Sequence, residues 1–191
     1  MVFDLIKKSR THRHFTDEPV TEETVLKILN AARYSSSAKN RQILRYAYTI
    51  DDEKCQQIFK NVSLGGALKK EEKPTIDERP RAFIAIVTDD CIQEDSSSLF
   101  FNMGIASQNI VLMANDSGLS SCIVMAYNKK EVDKILNLPE NYSSKILILL
   151  GRGKEEVKVI DIHSNEDTKY YRENLTHCVP KIVLEDLIVS K

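Results

Sequence analysis

The chain has 191 residues, 42% of them hydrophobic, and its 27 basic and 28 acidic side chains give a formal net charge of -1. That length and apolar content suit one domain that can bury a full core without disulfide or metal staples. Near-neutral charge argues against nucleic acid or a membrane surface as partner, so any anion site must come from locally placed arginine and lysine.

No apolar run approaches the roughly 18 residues that span a bilayer; the longest, Ile146 to Leu150, has the length of a buried strand. The N-terminus lacks the continuous apolar core and cleavage site of a secretory signal. Cys55, Cys91, Cys122 and Cys178 are widely spaced and form no CxxC pair, which predicts free thiols in a cytoplasmic setting and no zinc site. His12, His14, His163 and His177 are not spaced as a metal set and read as surface or turn residues.

In chain order, Val2, Leu5 and Ile6 share one face of a helix over Val2 to Lys8. Thr21 caps the next helix. Glu22 and Glu23 sit in its first turn, where the helix dipole favours negative charge, and Val25, Ile28, Leu29 and Ala32 recur at helical spacing. A turn at Ser35 to Ser37 ends it. Ile43 to Ile50, rich in aromatic and β-branched residues, predicts a strand. Asp51 and Asp52 open a short helix through Ile58 and Phe59, and the charged stretch from Gly65 to Arg79 reads as a loop or lid. Ala82 to Val87 is apolar almost without interruption and predicts a strand buried on both faces.

Ser97 to Asn115 predicts the longest helix. It is apolar on nearly every side, hence central or placed in a subunit interface. Gly118 falls where a helix-ending left-handed residue belongs. Ser121 to Met125 reads as a strand, Asn128 and Glu131 as a capping pair for a further helix, and Lys145 to Leu150 as the last clear core strand. Beyond Gly151 the chain is polar until Tyr170, Tyr171, Leu184, Leu187 and Ile188, a tail expected to pack on its own domain or on a partner subunit. Neither GxGxxG nor GxxxxGKS/T occurs, which disfavours classical dinucleotide or P-loop binding.

Three polar clusters are candidates for chemistry. In Arg10-Thr11-His12-Arg13, two arginines flank a hydroxyl and match the oxygens of a phosphate monoester. The alternative is a basic helix end, since cations favour helix C-termini. Ser37-Ala38-Lys39-Asn40-Arg41-Gln42 offers donors and acceptors for the polar edge of a planar heterocycle, or else an ordinary polar turn. In Gly118-Leu119-Ser120-Ser121-Cys122 a helix turns into a strand; backbone N–H groups there can face a ligand, or simply connect the two elements. Cys122 has no basic neighbour in sequence that would activate its thiol.

The order of these clusters resembles the FMN-dependent nitroreductase family, most closely its short bacterial branch. Arg10, Thr11, Arg13 and Phe15 stand at the matching positions of that family's RRSxRxF opening. Ala31-Ala32-Arg33 with Ser37 to Gln42 resembles AAR.APSAxNxQP, and Glu78-Arg79-Pro80 before the Ala82 strand resembles ERP.AYIVI. Gly104 to Ile110 with Gly118 to Cys122 is similar to GIAAQNILL and GLGSC, and Tyr170-Tyr171-Arg172, Val179-Pro180-Lys181 and Leu184-Glu185-Asp186 match the tail. The chain departs from the pattern at Ser36 and Ile43, where proline is usual, at Ser120 in place of a glycine, and at Ile182 in place of a basic residue.

The resemblance covers nearly the whole chain and implies one α+β domain over residues 1–191. The fold implied is an α/β sandwich around a mixed, mostly antiparallel central sheet flanked by helices. It further implies a homodimer with FMN at the subunit interface. Arg10, Thr11 and Arg13 would bind the FMN phosphate and ribityl chain, with Lys181 helping at the phosphate. Ser37, Asn40 and Gln42 would approach the flavin from the partner subunit, while Cys122, Ile123 and Val124 would lie against the ring, mostly through backbone. NADH or NADPH, and then a small organic acceptor such as a nitroaromatic or quinone, would use the same FMN in a ping-pong exchange. No side chain stands out as an acid or base. The rival readings are a flavin-binding sensor or carrier without turnover, and a flavin-free interaction module.

Overall fold

Local chemistry sets the helix boundaries. The computed structural model describes residues 1–66, 68–92, 95–174 and 176–190. α1 spans Val2–Lys8 and α2 spans Glu22–Arg33. The Thr24 N–H donates to the Thr21 hydroxyl at 3.3 Å, and Val25, Ile28 and Ala32 bury the inner face of α2. A 3-10 turn at Ala38–Asn40 leads to β1, Arg45–Thr49. This strand is shorter than the Ile43 to Ile50 expected. Gln42 is still in the left-handed turn, and Asp51 is already the cap of α3 (Asp52–Lys60), accepting from the Lys54 N–H at 2.8 Å.

β2 (Ala82–Asp89), α4 (Ser96–Asp116), β3 (Ser120–Val124), α5 (Lys129–Ile135) and β4 (Tyr142–Gly151) follow. The strands form one antiparallel sheet in the order β1-β2-β4-β3. Alternation along β2 explains its continuous apolar sequence. Ala82, Ile84 and Ile86 pack toward Ile28 of α2 and Met103, Ala106 and Ile110 of α4. Phe83, Ala85 and Val87 pack toward Cys55 and Ile58 of α3 and Val132 of α5. Helices therefore cover both faces of the sheet, and side chains with period two serve two cores.

α4 runs 21 residues, one residue beyond the expected span at each end. Its C-terminus is a Schellman turn: the Gly118 N–H donates to Asn115 O at 3.0 Å and the Leu119 N–H to Ala114 O at 2.9 Å, with Gly118 at φ 76°. Met103, Ala106, Ile110 and Ala114 are buried, whereas Phe100 and Phe101 are 54% and 68% exposed. Asn128 occupies the N-cap of α5, but its side chain makes no cap hydrogen bond, so the expected capping pair with Glu131 does not form. The Gly65 to Arg79 stretch holds two 3-10 turns, at Lys70–Glu72 and Ile76–Glu78, and is tied to α3 by the ion pair of Arg79 with Asp52 at 2.5 Å.

These elements make up one compact unit, Met1–Gly153; Lys154–Lys191 forms a second. In the second unit, β5 (Glu156–Ile162), β6 (Tyr171–Glu173) and β7 (Thr176–Ile182) pair in the order β5-β7-β6, and a short α6 covers Leu184–Leu187. β5 and β7 are parallel and β6 and β7 antiparallel, which completes a mixed, mostly antiparallel α+β fold. Lys145 to Leu150 lies within β4, the last strand of the core sheet in chain order, and the three strands of the second unit follow it. These three strands carry no plain signal in the sequence: β5 is mostly exposed or half-buried and its partner β7 lies beyond β6, while β6 is only three residues long. Arg172 and Glu155 form an ion pair inside this unit, with both side chains largely covered.

Candidate functional site

After α1 the backbone crosses the ends of β3 and β4. The His12 N–H donates to Ser121 O at 2.9 Å, and Thr11 bridges Ser121. Farther along, the Phe15 N–H donates to Glu78 O at 3.0 Å and the Thr16 N–H to Arg152 O at 2.9 Å. Phe15 is buried and packs against Gly151, where a β-carbon would come within 2.9 Å of the ring. The Arg10 to Arg13 stretch is thereby fixed by main-chain bonds on one side and a buried aromatic anchor on the other.

Arg10 divides its guanidinium. Nη2 donates to Ile6 O at 2.5 Å at the end of α1, while Nε is buried and has no hydrogen-bond partner. The helix-end alternative is thus realised at one nitrogen, and another remains for a ligand. An open cleft of about 440 Å³ lies beside it, with Arg10, Thr11, Gln108 and Ser121 as polar walls and Ile6 and Ile123 among the apolar ones. This size and mixture suit a small-molecule or cofactor site. Arg13 is half-buried in the same stretch. His12 Nδ1 lies 3.0 Å from Arg10 O; a carbonyl only accepts, so that nitrogen is the donor.

The pleat of β3 separates the next three candidates. Cys122 and Val124 are buried in the core cluster with α3 and α5, whereas Ile123 is 42% exposed and lines the cleft. Only the middle side chain of the three faces a ligand-sized space, and the other two can reach it by backbone alone.

Ser37 and Gln42 line a different cavity, of about 180 Å³, together with Arg33, Ser35, Tyr46 and Asn102; Asn40 is exposed on the turn above. The two cavities share no lining residue. They meet α4 at Asn102 and Gln108, which the helical rise separates by about 9 Å. Lys39, Asn40 and Gln42 all adopt positive φ, at 53°, 53° and 49°. Such left-handed residues cost on the order of 1–3 kcal/mol each when they are not glycine, and asparagine bears it best. Burial of the Tyr46 phenol beneath this cavity pushes its pKa up. Lys181 belongs to the second unit, exposed on β7 at the register position of Asp161 on β5.

The three polar clusters include Ser121 but not Gln108 or Ile6, which also line the first cavity, nor Asn102 in the second. Gln108 and Asn102 lie on a helix apolar on almost every side, whose pattern gives no phase from which to pick the polar residue facing a cavity. Their signal is a polar side chain in an otherwise apolar helix.

The nitroreductase family model matches residues 6–153, which ends with the first compact unit. An Archaeoglobus fulgidus protein assigned as NADH dehydrogenase/NAD(P)H nitroreductase is 27% identical over 161 residues, covering 80% of this chain and 85% of the relative. A Methanothermobacter thermautotrophicus protein of the same assignment is 27% identical, covering 84% of this chain and 82% of its own. Among solved structures, a nitroreductase family protein of Clostridium novyi NT superposes with a TM-score of 0.68 at 23% identity, covering 81% of this chain and 86% of the other. An FMN-dependent nitroreductase of Clostridium difficile R20291 gives a TM-score of 0.65 at 25% identity, covering 81% and 88%.

Proposed function

Since this chain belongs to the nitroreductase family, we propose that it is an FMN-dependent oxidoreductase that carries electrons from NADH or NADPH to a small organic acceptor, such as a nitroaromatic or quinone, in ping-pong turnover. The observation that carries this reading is the unpartnered Arg10 Nε beside a cleft that also presents Thr11, Gln108 and Ser121. A buried donor without an acceptor is costly, and a phosphate oxygen removes that cost.

The residues present fit FMN. Arg10, Thr11 and Arg13 would hold its phosphate and ribityl chain. Ile123 would supply an apolar wall, and the backbone from Cys122 to Val124 hydrogen-bonding edges. When bound, FMN supplies the two-electron relay between nicotinamide and acceptor. The chain's own part is to bind, to exclude water from the cleft, and to offset negative charge on the cofactor with guanidinium groups. No side chain is assigned as acid or base.

We assign Ser37, Asn40 and Gln42 to the flavin of a partner subunit in a homodimer. Two observations favour this: within one chain their cavity shares no residue with the Arg10 cleft, and Phe3, Phe100 and Phe101 remain exposed. Light scattering on the purified protein tests the dimer. Its four free cysteines suit a reducing, cytoplasmic compartment.

The deciding experiment is the visible spectrum of freshly purified protein, taken anaerobically before and after NADH or NADPH. Bound flavin that bleaches with the nicotinamide and recovers with an acceptor supports turnover. Flavin that binds but stays oxidised leaves a sensor or carrier, and colourless protein that FMN cannot reconstitute overturns the reading.

A further inference from the structure

The turn from Ser37 to Gln42 is strained, and packing does not hold it. Three of its residues, Lys39, Asn40 and Gln42, are left-handed without being glycine. Cavities of about 180 and 220 Å³ flank it, with Ile43 and Asn102 in the walls of both. A conformation that L-residues rarely adopt persists only when its surroundings over-determine it. Here the constraint is a set of hydrogen bonds.

Ser37 acts at both ends of the turn: its backbone carbonyl accepts from the Asn40 N–H at 2.8 Å, and its Oγ accepts from the Gln42 N–H at 3.0 Å. Arg45, the first residue of β1, closes the exit. Its Nη1 donates to Gln42 O at 2.7 Å and to Leu44 O at 2.8 Å. Arg45 is thus spent on the main chain of the turn. Between these clamps, Gln42 Nε2 donates to Asn40 O at 3.3 Å, which fixes one side of its amide.

We propose that Ser37 and Arg45 form a brace of positioning residues that keeps the strained turn in its left-handed form, so that Asn40 and Gln42 are presented, preorganised, to the polar edge of the flavin. This rests on the FMN reading above. Without the brace, the turn relaxes toward right-handed conformations and the amides must be ordered again at each binding event, which weakens affinity.

The test measures FMN dissociation constants by flavin fluorescence and the melting temperature of the apoprotein. Arg45→Met keeps the apolar stem and removes the guanidinium; Ser37→Ala removes only the Oγ bond, and Ser37→Thr keeps it. Arg45→Met and Ser37→Ala are each expected to raise the FMN Kd about tenfold, the effect of two lost hydrogen bonds in the first and one in the second, with the apoprotein melting temperature unchanged or raised. Ser37→Thr, which keeps the hydroxyl, is expected to lose less affinity than Ser37→Ala. Adding Lys39→Gly to Arg45→Met recovers part of the lost affinity, because glycine adopts positive φ at no steric cost.

Kd values within twofold of wild type for both Arg45→Met and Ser37→Ala overturn the brace. So does a lower melting temperature at unchanged Kd, or an affinity loss in Arg45→Met that Lys39→Gly leaves untouched. A wild-type protein that binds no FMN is a different result: it overturns the underlying reading, and the brace with it.

Discussion

Gly153 and His12 are in mutual contact through a space that only glycine leaves open: a β-carbon on Gly153 would stand 2.6 Å from His12 Cδ2 and 2.5 Å from Ser120 Oγ. The stretch carrying Arg10 to Arg13 is laid over the sheet ends at this point. Gly153→Ala should therefore push that stretch away and cost about 1–3 kcal/mol of stability, as overpacking does. FMN affinity should fall with it, measured by fluorescence titration beside thermal melting. Unchanged values of both would show that the crossing adapts.

Arg10 and Arg13 are expected to act as one anion grip. The double variant Arg10→Ala with Arg13→Ala should weaken FMN binding by about 2–4 kcal/mol, given charge-assisted hydrogen bonds at both positions. Equilibrium titration of the apoprotein checks it, and an affinity equal to wild type removes the phosphate assignment. Arg10→Ala also deletes the bond to Ile6 O, so a small loss of helix stability should accompany the single change.

The two-sided burial of β2 predicts a steep cost of truncation. Ile84 is fully buried among residues of α2, α4 and β4, and Ile84→Ala should destabilise the fold by about 2–5 kcal/mol in urea unfolding. A loss below about 1 kcal/mol would mean that this core collapses around the missing methyl groups.

Thiol chemistry should be confined to one position. Cys55, Cys122 and Cys178 are buried and Cys91 is exposed. Burial, with Asp52 and Asp51 nearby, pushes the Cys55 thiol up to about 12. The hydrogen bond and charge of Asp89 also raise the Cys91 thiol, so even the accessible group should react slowly at neutral pH and faster as pH rises. Mass spectrometry after brief alkylation of native protein should find the label on Cys91, and prompt labelling of Cys55 would contradict this placement.

Asp52 links stability to pH. The hydrogen bond from Arg79, aided by the charges of Arg79 and Arg81, holds its carboxyl below the ordinary 3.8. A depressed folded-state pKa stabilises the fold above the unfolded value, and that contribution disappears as pH falls through the lower, folded value. Asp52→Asn should therefore lower the melting temperature slightly at neutral pH, and the gap from wild type should close in strong acid. The Asp52 side chain is 72% exposed, so the effect is small and screened by salt. A gap that persists unchanged at low pH would assign the loss to packing.

Much of this protein can be read from its sequence because the relevant forces act within a turn or two. Thr21 and Asp51 cap their helices, Gly118 ends α4 in a left-handed turn, and the uninterrupted Ala82 to Val87 run is buried on both faces. The Arg10 to Arg13 cluster could likewise be picked out from charge and spacing alone. Tertiary structure decided the rest. Which face of α4 is buried, that Gln108 and Ser121 join Arg10 in one cleft, that Ser37 and Gln42 line another, and that β5 pairs in parallel with β7 all depend on residues distant in sequence. Caps and periodicity are local energies written into neighbouring residues, whereas a cavity wall or a strand partner is chosen by whichever long-range contacts repay the entropy of closing the chain between them.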